Sequence, residues 1–326
     1  MSTTTRVPLA PEGLLPQTAE PESPQGPADS RGAWPTRVLL ATDGAASADA
    51  AVIAARGFAR RAGVTVEMLA TYAPRIPLPA SPERRGIARC APSDRREVAD
   101  LLRRVRAQRV RTLTDARDRR EWPLRLEVGD PGPAIARVAN EVAADLIVLG
   151  PPEPLTRDVY TGVGVARDAT VPLLAVASDC ELPVRCIAAL PDGRLDARTL
   201  RAALGCMSPG GHLWLAIPAA LPAGGAEVDR SESPRDLAAR MCGPDSAVAL
   251  SKLDVDRVEV PGDMLAGVLR LAGEVRAQLI AVPNHGDPGP VRAFLPNLAD
   301  PVLLGARCSV LVVPDQTAGA ADTSAP

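Results

Sequence analysis

Two aspartates close short apolar runs and stand directly before a glycine. Asp43-Gly44 follows Val38–Thr42, and Asp192-Gly193 follows Cys186–Leu190. A carboxylate at the carboxyl end of a buried strand sits where open α/β sheets place their ligands. The alternative reading of each is a turn or helix-cap carboxylate. His285-Gly286 falls in a loop on the same side of the second unit, either as a ligand-side histidine or as a plain turn histidine. His212 opens an apolar run and reads as structural. Bond-making chemistry has no such candidates. There is no Gly-x-Ser-x-Gly elbow, no Cys/His pair at a recognised spacing and no phosphate-loop lysine. These residues point to a binding protein and not to an enzyme.

Positioning them requires elements, and the elements occur twice. Arg37-Val-Leu-Leu-Ala-Thr-Asp43-Gly44 is matched by Arg185-Cys-Ile-Ala-Ala-Leu-Pro-Asp192-Gly193. Asp145–Gly150 is matched by Gln278–Pro283, and Pro172–Ala177 by Ser309–Pro314. Three apolar runs recurring in one order mark an internal duplication. In the first copy, strands are expected at 38–42, 64–72, 124–128, 146–149 and 172–176. In the second they are expected at 186–190, 212–217, 255–260, 279–282 and 310–313. A helix is expected over 46–62. Asp94-Arg-Arg-Glu97 reads as a capping box that starts the next one. Pro131 and Pro133 suit the start of a third, with Ile135, Val138, Ala139 and Val142 as its apolar face. Residues 218–250 are Gly/Pro-rich and predict only a short or irregular helix. Near-continuous apolar strands alternating with helices imply a parallel sheet covered on both faces. The fold class is therefore α/β: two tandem open α/β sandwiches, each a five-stranded parallel sheet with helices on both faces. The domains read as 36–178 and 184–314, between disordered tails at 1–35 and 315–326.

Composition excludes several classes of function. At 326 residues with 46% apolar content, the chain can fill two cores, and 2% aromatics means that Leu, Val, Ile and Ala fill them. The net charge of −2 gives no support for nucleic-acid binding. Cys90, Cys180, Cys186, Cys206, Cys242 and Cys308 form no Cys-x-x-Cys pair, and with only two histidines a zinc site is not expected. Scattered thiols with apolar flanks read as reduced and buried, and the expected location is cytoplasmic. A redox switch around Cys180 and Cys186 is the sharper alternative. No apolar run approaches the ~18 residues of a membrane span. Gly162-Val-Gly164 looks like a truncated dinucleotide fingerprint, but it follows no predicted strand and lacks the third glycine. The arginines between Arg95 and Arg120 read as a solvated face paired with Glu97, Asp100, Asp115 and Asp118, or else as a docking surface for an acidic partner.

Taken together and in order, Val38–Gly44, Val128-Gly-Asp-Pro131, Ala144–Gly150 and Val165–Val176 resemble the universal stress protein family. The resemblance covers roughly 37–177 well and 184–314 more loosely. It implies a tandem member whose two units either form an internal pseudo-dimer or dock on a second chain to give a dimer of four repeats. Because the family's dimers often pair their last strands, Pro172–Val176 and Val310–Val313 are the expected seam.

The resemblance also implies an adenine-nucleotide site. In nucleotide-binding members a Gly-x-x-Gly turn after the fourth strand, then nine residues and Gly-Ser or Gly-Thr, wraps the phosphates, and the Asp after the first strand holds the nucleoside. Glycine is needed there because backbone N–H groups must approach the phosphates closely. This chain departs from the pattern in both halves. Gly150 is present, but Pro151-Pro152-Glu153-Pro154 follows it, and the Gly-Ser pair falls on Val159-Tyr160. In the second half Pro283 replaces the first glycine, Asn284-His285-Gly286 keeps the later part of the turn, Asp287 follows, and the Gly-Ser pair falls on Pro296-Asn297. Proline offers no N–H. Losing two charged hydrogen bonds of roughly 1.5–3 kcal/mol each turns a micromolar site into one of ~0.1–10 mM.

The candidate cofactor-binding residues are Asp43, Gly44, Gly150, Asp192, Gly193, His285 and Gly286, with ATP as the ligand and the second repeat as the better site. The expectation is a stress-associated interaction or scaffold module with weak or lost nucleotide binding. Its partners would be proteins or further copies of itself, with neither nucleic acid nor membrane involved. The alternative is an ATP-binding sensor that uses the second repeat.

Overall fold

The computed structural model describes residues 34–61, 63–74, 92–113, 121–151, 161–177, 180–191, 196–220, 231–284 and 298–314. The tail segments 1–33 and 315–326 lie outside these residues, as do Asp192, Gly193, His285 and Gly286. In the first half the order is β1 (Arg37–Ala41), α1 (Asp49–Ala59), β2 (Thr65–Tyr72), α2 (Pro92–Thr112), β3 (Leu124–Val128), α3 (Pro131–Glu141), β4 (Leu146–Leu149), α4 (Thr161–Asp168) and β5 (Leu173–Ala175). The second half repeats it: β6 (Arg185–Ala189), α5 (Ala197–Cys206), β7 (His212–Pro218), α6 (Pro234–Cys242), β8 (Asp254–Val260), α7 (Met264–Glu274), β9 (Leu279–Asn284), α8 (Ala299–Gly305) and β10 (Ser309–Pro314).

The strands join one ten-stranded sheet in the order β3-β2-β1-β4-β5-β10-β9-β6-β7-β8. Each half is parallel throughout, and the halves meet at the antiparallel pair β5–β10. At this seam Leu173 faces Val312, Leu174 faces Leu311 and Ala175 faces Val310. Leu174 therefore faces its own counterpart, while Leu173 and Ala175 face each other's, and a pseudo-two-fold axis passes between Leu174 and Leu311. That self-complementary register is how two identical subunits would meet.

The two cores divide by sheet face, not by repeat. One cluster joins α1 and α2 to α5 and α6 through Phe58, Leu101, Leu200 and Leu237, and it contains both Leu174 and Leu311. The other joins α3 and α4 to α7 and α8 through Ile135, Val165, Val268 and Val302. Both run unbroken across the seam. Repeat symmetry persists in small details. Ala143 (φ 49°) and Arg276 (φ 51°) both turn the chain left-handed after α3 and α7. The Asp145 carboxylate accepts from the N–H of Thr36 and of Arg37, and Gln278 Oε1 accepts from Val184 and Arg185 in the same way.

Local differences from the sequence reading have physical causes. The first helix opens with a 3-10 turn, Ala46–Ala48, before α1. The capping box at Asp94 and Glu97 does not form. α2 begins earlier, at Pro92, which places Asp94 inside the first turn. The buried Tyr72 hydroxyl instead lies 2.9 Å from Asp94 and 2.8 Å from Glu97. Burial and these carboxylates push the phenol well above its ordinary pKa. Within 218–250, α6 is a regular helix. Ser233 caps it by accepting from Asp236 N–H, and Pro234 opens it.

The cysteines behave as core atoms. Cys186, Cys206 and Cys242 are buried free thiols. Burial pushes the Cys206 thiol up to about 12 and those of Cys242 and Cys308 up to about 11, and it holds the Cys186 thiol well above its ordinary range. The thiolate is the reactive form. A water-soluble thiol reagent at neutral pH is thus expected to leave Cys186, Cys206 and Cys242 unlabelled in the native chain and to label them after denaturation. Rapid native labelling of Cys186, read by mass spectrometry, would contradict this packing and revive a switch at that residue.

Candidate functional site

The strand ends of the first half show what became of its candidate residues. Thr42 is buried, and its hydroxyl donates to Gln108 Oε1 at 2.7 Å. Gly44 turns at φ +77°, and its N–H donates to Thr42 Oγ1 at 3.1 Å. A Cβ on Gly44 would stand 2.5 Å from the backbone of Arg104 and Val105. Gly44 is therefore a glycine because helix α2 lies on it. Gln108 completes the closure: its amide nitrogen donates to Ala45 O at 3.3 Å and to Asp49 Oδ1 at 2.9 Å. Arg111 holds the same Asp49 carboxylate at 2.9 Å. Asp43 is exposed, and its carboxylate accepts from Ala45 N–H at 2.9 Å, as a turn aspartate does.

Gly150 is enclosed in the same manner. Its Cβ would lie 3.2 Å from Ala48 Cα and 3.4 Å from the Ser47 carbonyl. The 3-10 turn after β1 occupies the ground beside it. Asp43, Gly44 and Gly150 thus come together around the end of β1, and both glycines let protein pack closely against them. Pro152-Glu153-Pro154 and Val159-Tyr160 lie outside the described residues.

In the second half, Pro283 and Asn284 continue β9 where a phosphate turn would begin. They face Val313 and Pro314 of β10 and are buried. The sequence alone predicts a strand that ends at Val282, with Asn284 in the turn. Asn284 instead donates from Nδ2 to Ala166 O of α4, in the other half, at 2.6 Å. Its neighbours His285 and Gly286 are outside the described residues, as are Asp192 and Gly193 after β6.

The remaining motifs resolve structurally. Gly162 and Gly164 lie within α4, and a Cβ on Gly132 of α3 would be 3.4 Å from Gly164 Cα. They permit a close helix crossing. His212 stacks on Trp214 at 3.9 Å, with Nε2 2.8 Å from Asp256. Over the seam, a groove of about 1000 Å³ opens between the start of α3, α4 and α8, crossed by the Arg167–Asp300 ion pair at 2.7 Å. Asp130, Asp168 and Asp300 outnumber Arg167 in its lining, so the groove disfavours anions. Among the described residues, no group of three or more His, Cys, Asp or Glu could hold a metal, and no helix is long and apolar enough to cross a membrane.

Further ties between the halves escaped the sequence reading. Glu181, in the linker, is held by Arg56 at 2.8 Å and by Arg60. Arg61 donates to the Gly205 and Met207 carbonyls at the end of α5, where a helix favours a cation. Nothing in linear spacing pairs residues so far apart.

Comparison with known proteins agrees with this architecture. The sequence pattern of the Universal stress protein family matches residues 35–177 and 212–314. A universal stress protein from Archaeoglobus fulgidus DSM 4304 superposes with a TM-score of 0.55 at 15% identity, over 85% of this chain and 96% of that one. A protein of unknown function from Pseudomonas aeruginosa PAO1 aligns over 86% of this chain and 92% of its own, with a TM-score of 0.49 and 16% identity. A universal stress protein in complex with cAMP covers 43% of this chain and 96% of its own, with a TM-score of 0.32 and 22% identity. No curated protein matches the sequence. With the family pattern present in each half and one ten-stranded sheet joining them, the chain belongs to the universal stress protein family.

Proposed function

We propose that this tandem universal stress protein works as a stress-associated interaction module in the cytoplasm, without catalysis and without tight nucleotide binding. One observation carries the reading: at each fourth-strand end, where the family resemblance would place a phosphate turn, the backbone is already committed. Gly150 packs on Ala48, and Asn284 extends a strand and locks onto the other half. The opposing reading, an ATP sensor in the second half, rests on Asp192, His285 and Gly286.

Calorimetry separates the two. Titration of the full chain with ATP, and with cyclic AMP as second probe, is expected to give no saturable heat below the ~0.1–10 mM range that loss of two phosphate contacts predicts. Micromolar binding that disappears in Asp192→Ala would replace the interaction module with the sensor.

A further inference from the structure

The two halves differ most in their second helix. α2 has 21 residues, whereas its counterpart α6 has 9. α2 carries seven arginines against three carboxylates. Those carboxylates do little for its outer surface. Asp94 and Glu97 turn to Tyr72, and Asp100 is held by Arg103. Arg111 is committed to Asp49 and Arg109 to the Trp122 carbonyl. Arg96 and Arg106 hold no hydrogen bond or ion pair among the described residues, and both are exposed.

The exposed positions form a stripe. Arg96, Ala99, Arg103, Arg106, Ala107 and Val110 all face solvent, spaced at alternating three and four residues with Ala107 beside Arg106. Residues so spaced share one face of a helix. Val110 is 63% exposed, one of three large apolar side chains left open among the described residues. The opposite face, with Val98, Leu101 and Val105, is in the core. The stripe is thus a second seam on a helix already packed by its first, with small or apolar residues between cations.

We infer that the outer face of α2 docks an acidic amphipathic helix of a partner protein. The two alanines admit a second helix closely, Val110 offers it an apolar contact, and Arg96 and Arg106 attract carboxylates flanking its apolar stripe. A nucleic acid fits less well: α2 has no aromatic residue for stacking, and the chain's net charge is −2. A bilayer fits less well because Val110 alone gives too little apolar face to insert. The inference names the surface and partner chemistry of the interaction module proposed above and rests on that reading. Nucleotide titration tests that reading at the strand ends, away from this stripe, so each can fail separately.

The probe is a fluorescent synthetic helical peptide as long as α2, with leucine at its a and d positions and glutamate at e and g. Anisotropy should show saturable binding to the full chain that weakens with salt. The double variant Arg96→Glu/Arg106→Glu should weaken it on the order of tenfold, while Arg270→Glu, an exposed charge on α7, should leave it unchanged. Circular dichroism melting of each variant checks that the fold is kept. No saturable binding, or binding indifferent to the double variant, would overturn the proposal. So would tighter binding of single-stranded oligothymidylate or phosphatidylserine vesicles that the same variant abolishes, since the stripe would then be a phosphate surface.

Discussion

Replacing Glu127 with alanine is expected to lower folding stability by about 3–5 kcal/mol. Glu127 is fully buried on β3, an outermost strand of the sheet. Arg125 donates to it at 2.5 Å and Arg137 of α3 at 2.9 Å. Both arginines also hold Glu141, closing a ring of two cations and two anions. Removing one member leaves the nearly buried Arg125 short of a counter-charge, which costs more than the pair itself contributes.

The second half contains its own control. Arg270 and Glu274 on α7 repeat the Arg137–Glu141 spacing, exposed and 3.7 Å apart. The strand positions matching Arg125 and Glu127 are Val258 and Val260. One ring position was therefore solved once with charge and once with valine. The double variant Arg125→Val/Glu127→Val is expected to recover most of what Glu127→Ala loses. Urea denaturation of the three proteins checks this. Equal losses in the single and double variants would mean that the ring does not act as a unit.

Acid titration gives the same ring a sign. Burial raises the Glu141 carboxyl, but hydrogen bonds from Arg125 and Arg137 outweigh it and hold the group below its ordinary 4.5. Its contribution to stability is complete above that value. It is lost as pH falls toward the lower folded value.

The second large effect is expected at the seam. Leu311 is fully buried opposite Leu174, on the pseudo-two-fold axis. Leu311→Asp places a carboxylate with no partner in the core shared by α1, α2, α5 and α6. The expected loss is several kcal/mol. Because the substitution falls where the halves join, melting should split into separate transitions. The freed edges of β5 and β10 should then bring copies together. Leu311→Met, which nearly conserves volume, is expected to cost under about 1.5 kcal/mol. Calorimetric melting with sedimentation checks both, and a single unshifted transition for the aspartate variant would show that the seam does not couple the halves.

Much of this architecture is legible in the residues. Leu146–Leu149 and Leu279–Val282 are uniformly apolar because both faces of the sheet are covered, so they read as strands without ambiguity. The β5–β10 seam follows from the resemblance to the universal stress protein family, whose dimers often pair their last strands, and not from the strands' composition. α6 could have been read from Ser233-Pro234-Arg235-Asp236, a capping residue and a helix-starting proline hidden in a Gly/Pro-rich stretch. The site was less legible. A glycine shows where a backbone or ligand comes close, but not which. Gly44, after the first strand, and Gly150, at the phosphate turn, fit a nucleotide site in the sequence as well as they fit the close approach of α2 and the 3-10 turn. Asn284 beside Pro283 suggests a turn because nothing local shows that its amide reaches Ala166, more than a hundred residues away. Arg125 and Glu127 alternate with leucine in an outermost strand, and only α3 laid across them makes them buried.

The covalent link between the halves frees them from being copies. In a two-chain assembly every substitution appears at two places related by the axis, so a favourable contact must suit both. Here it appears once. The positions matching Arg167 and Asp300 are Leu304 and Val163, so the ion pair across the groove has no mirror image. The Asn284–Ala166 bond and the long cationic α2 are likewise single. The linker keeps the two units at a high effective concentration whatever the chain's abundance. Each half can then drift toward its own task without risking assembly, one lengthening a helix while the other trades a buried ring of charge for valine.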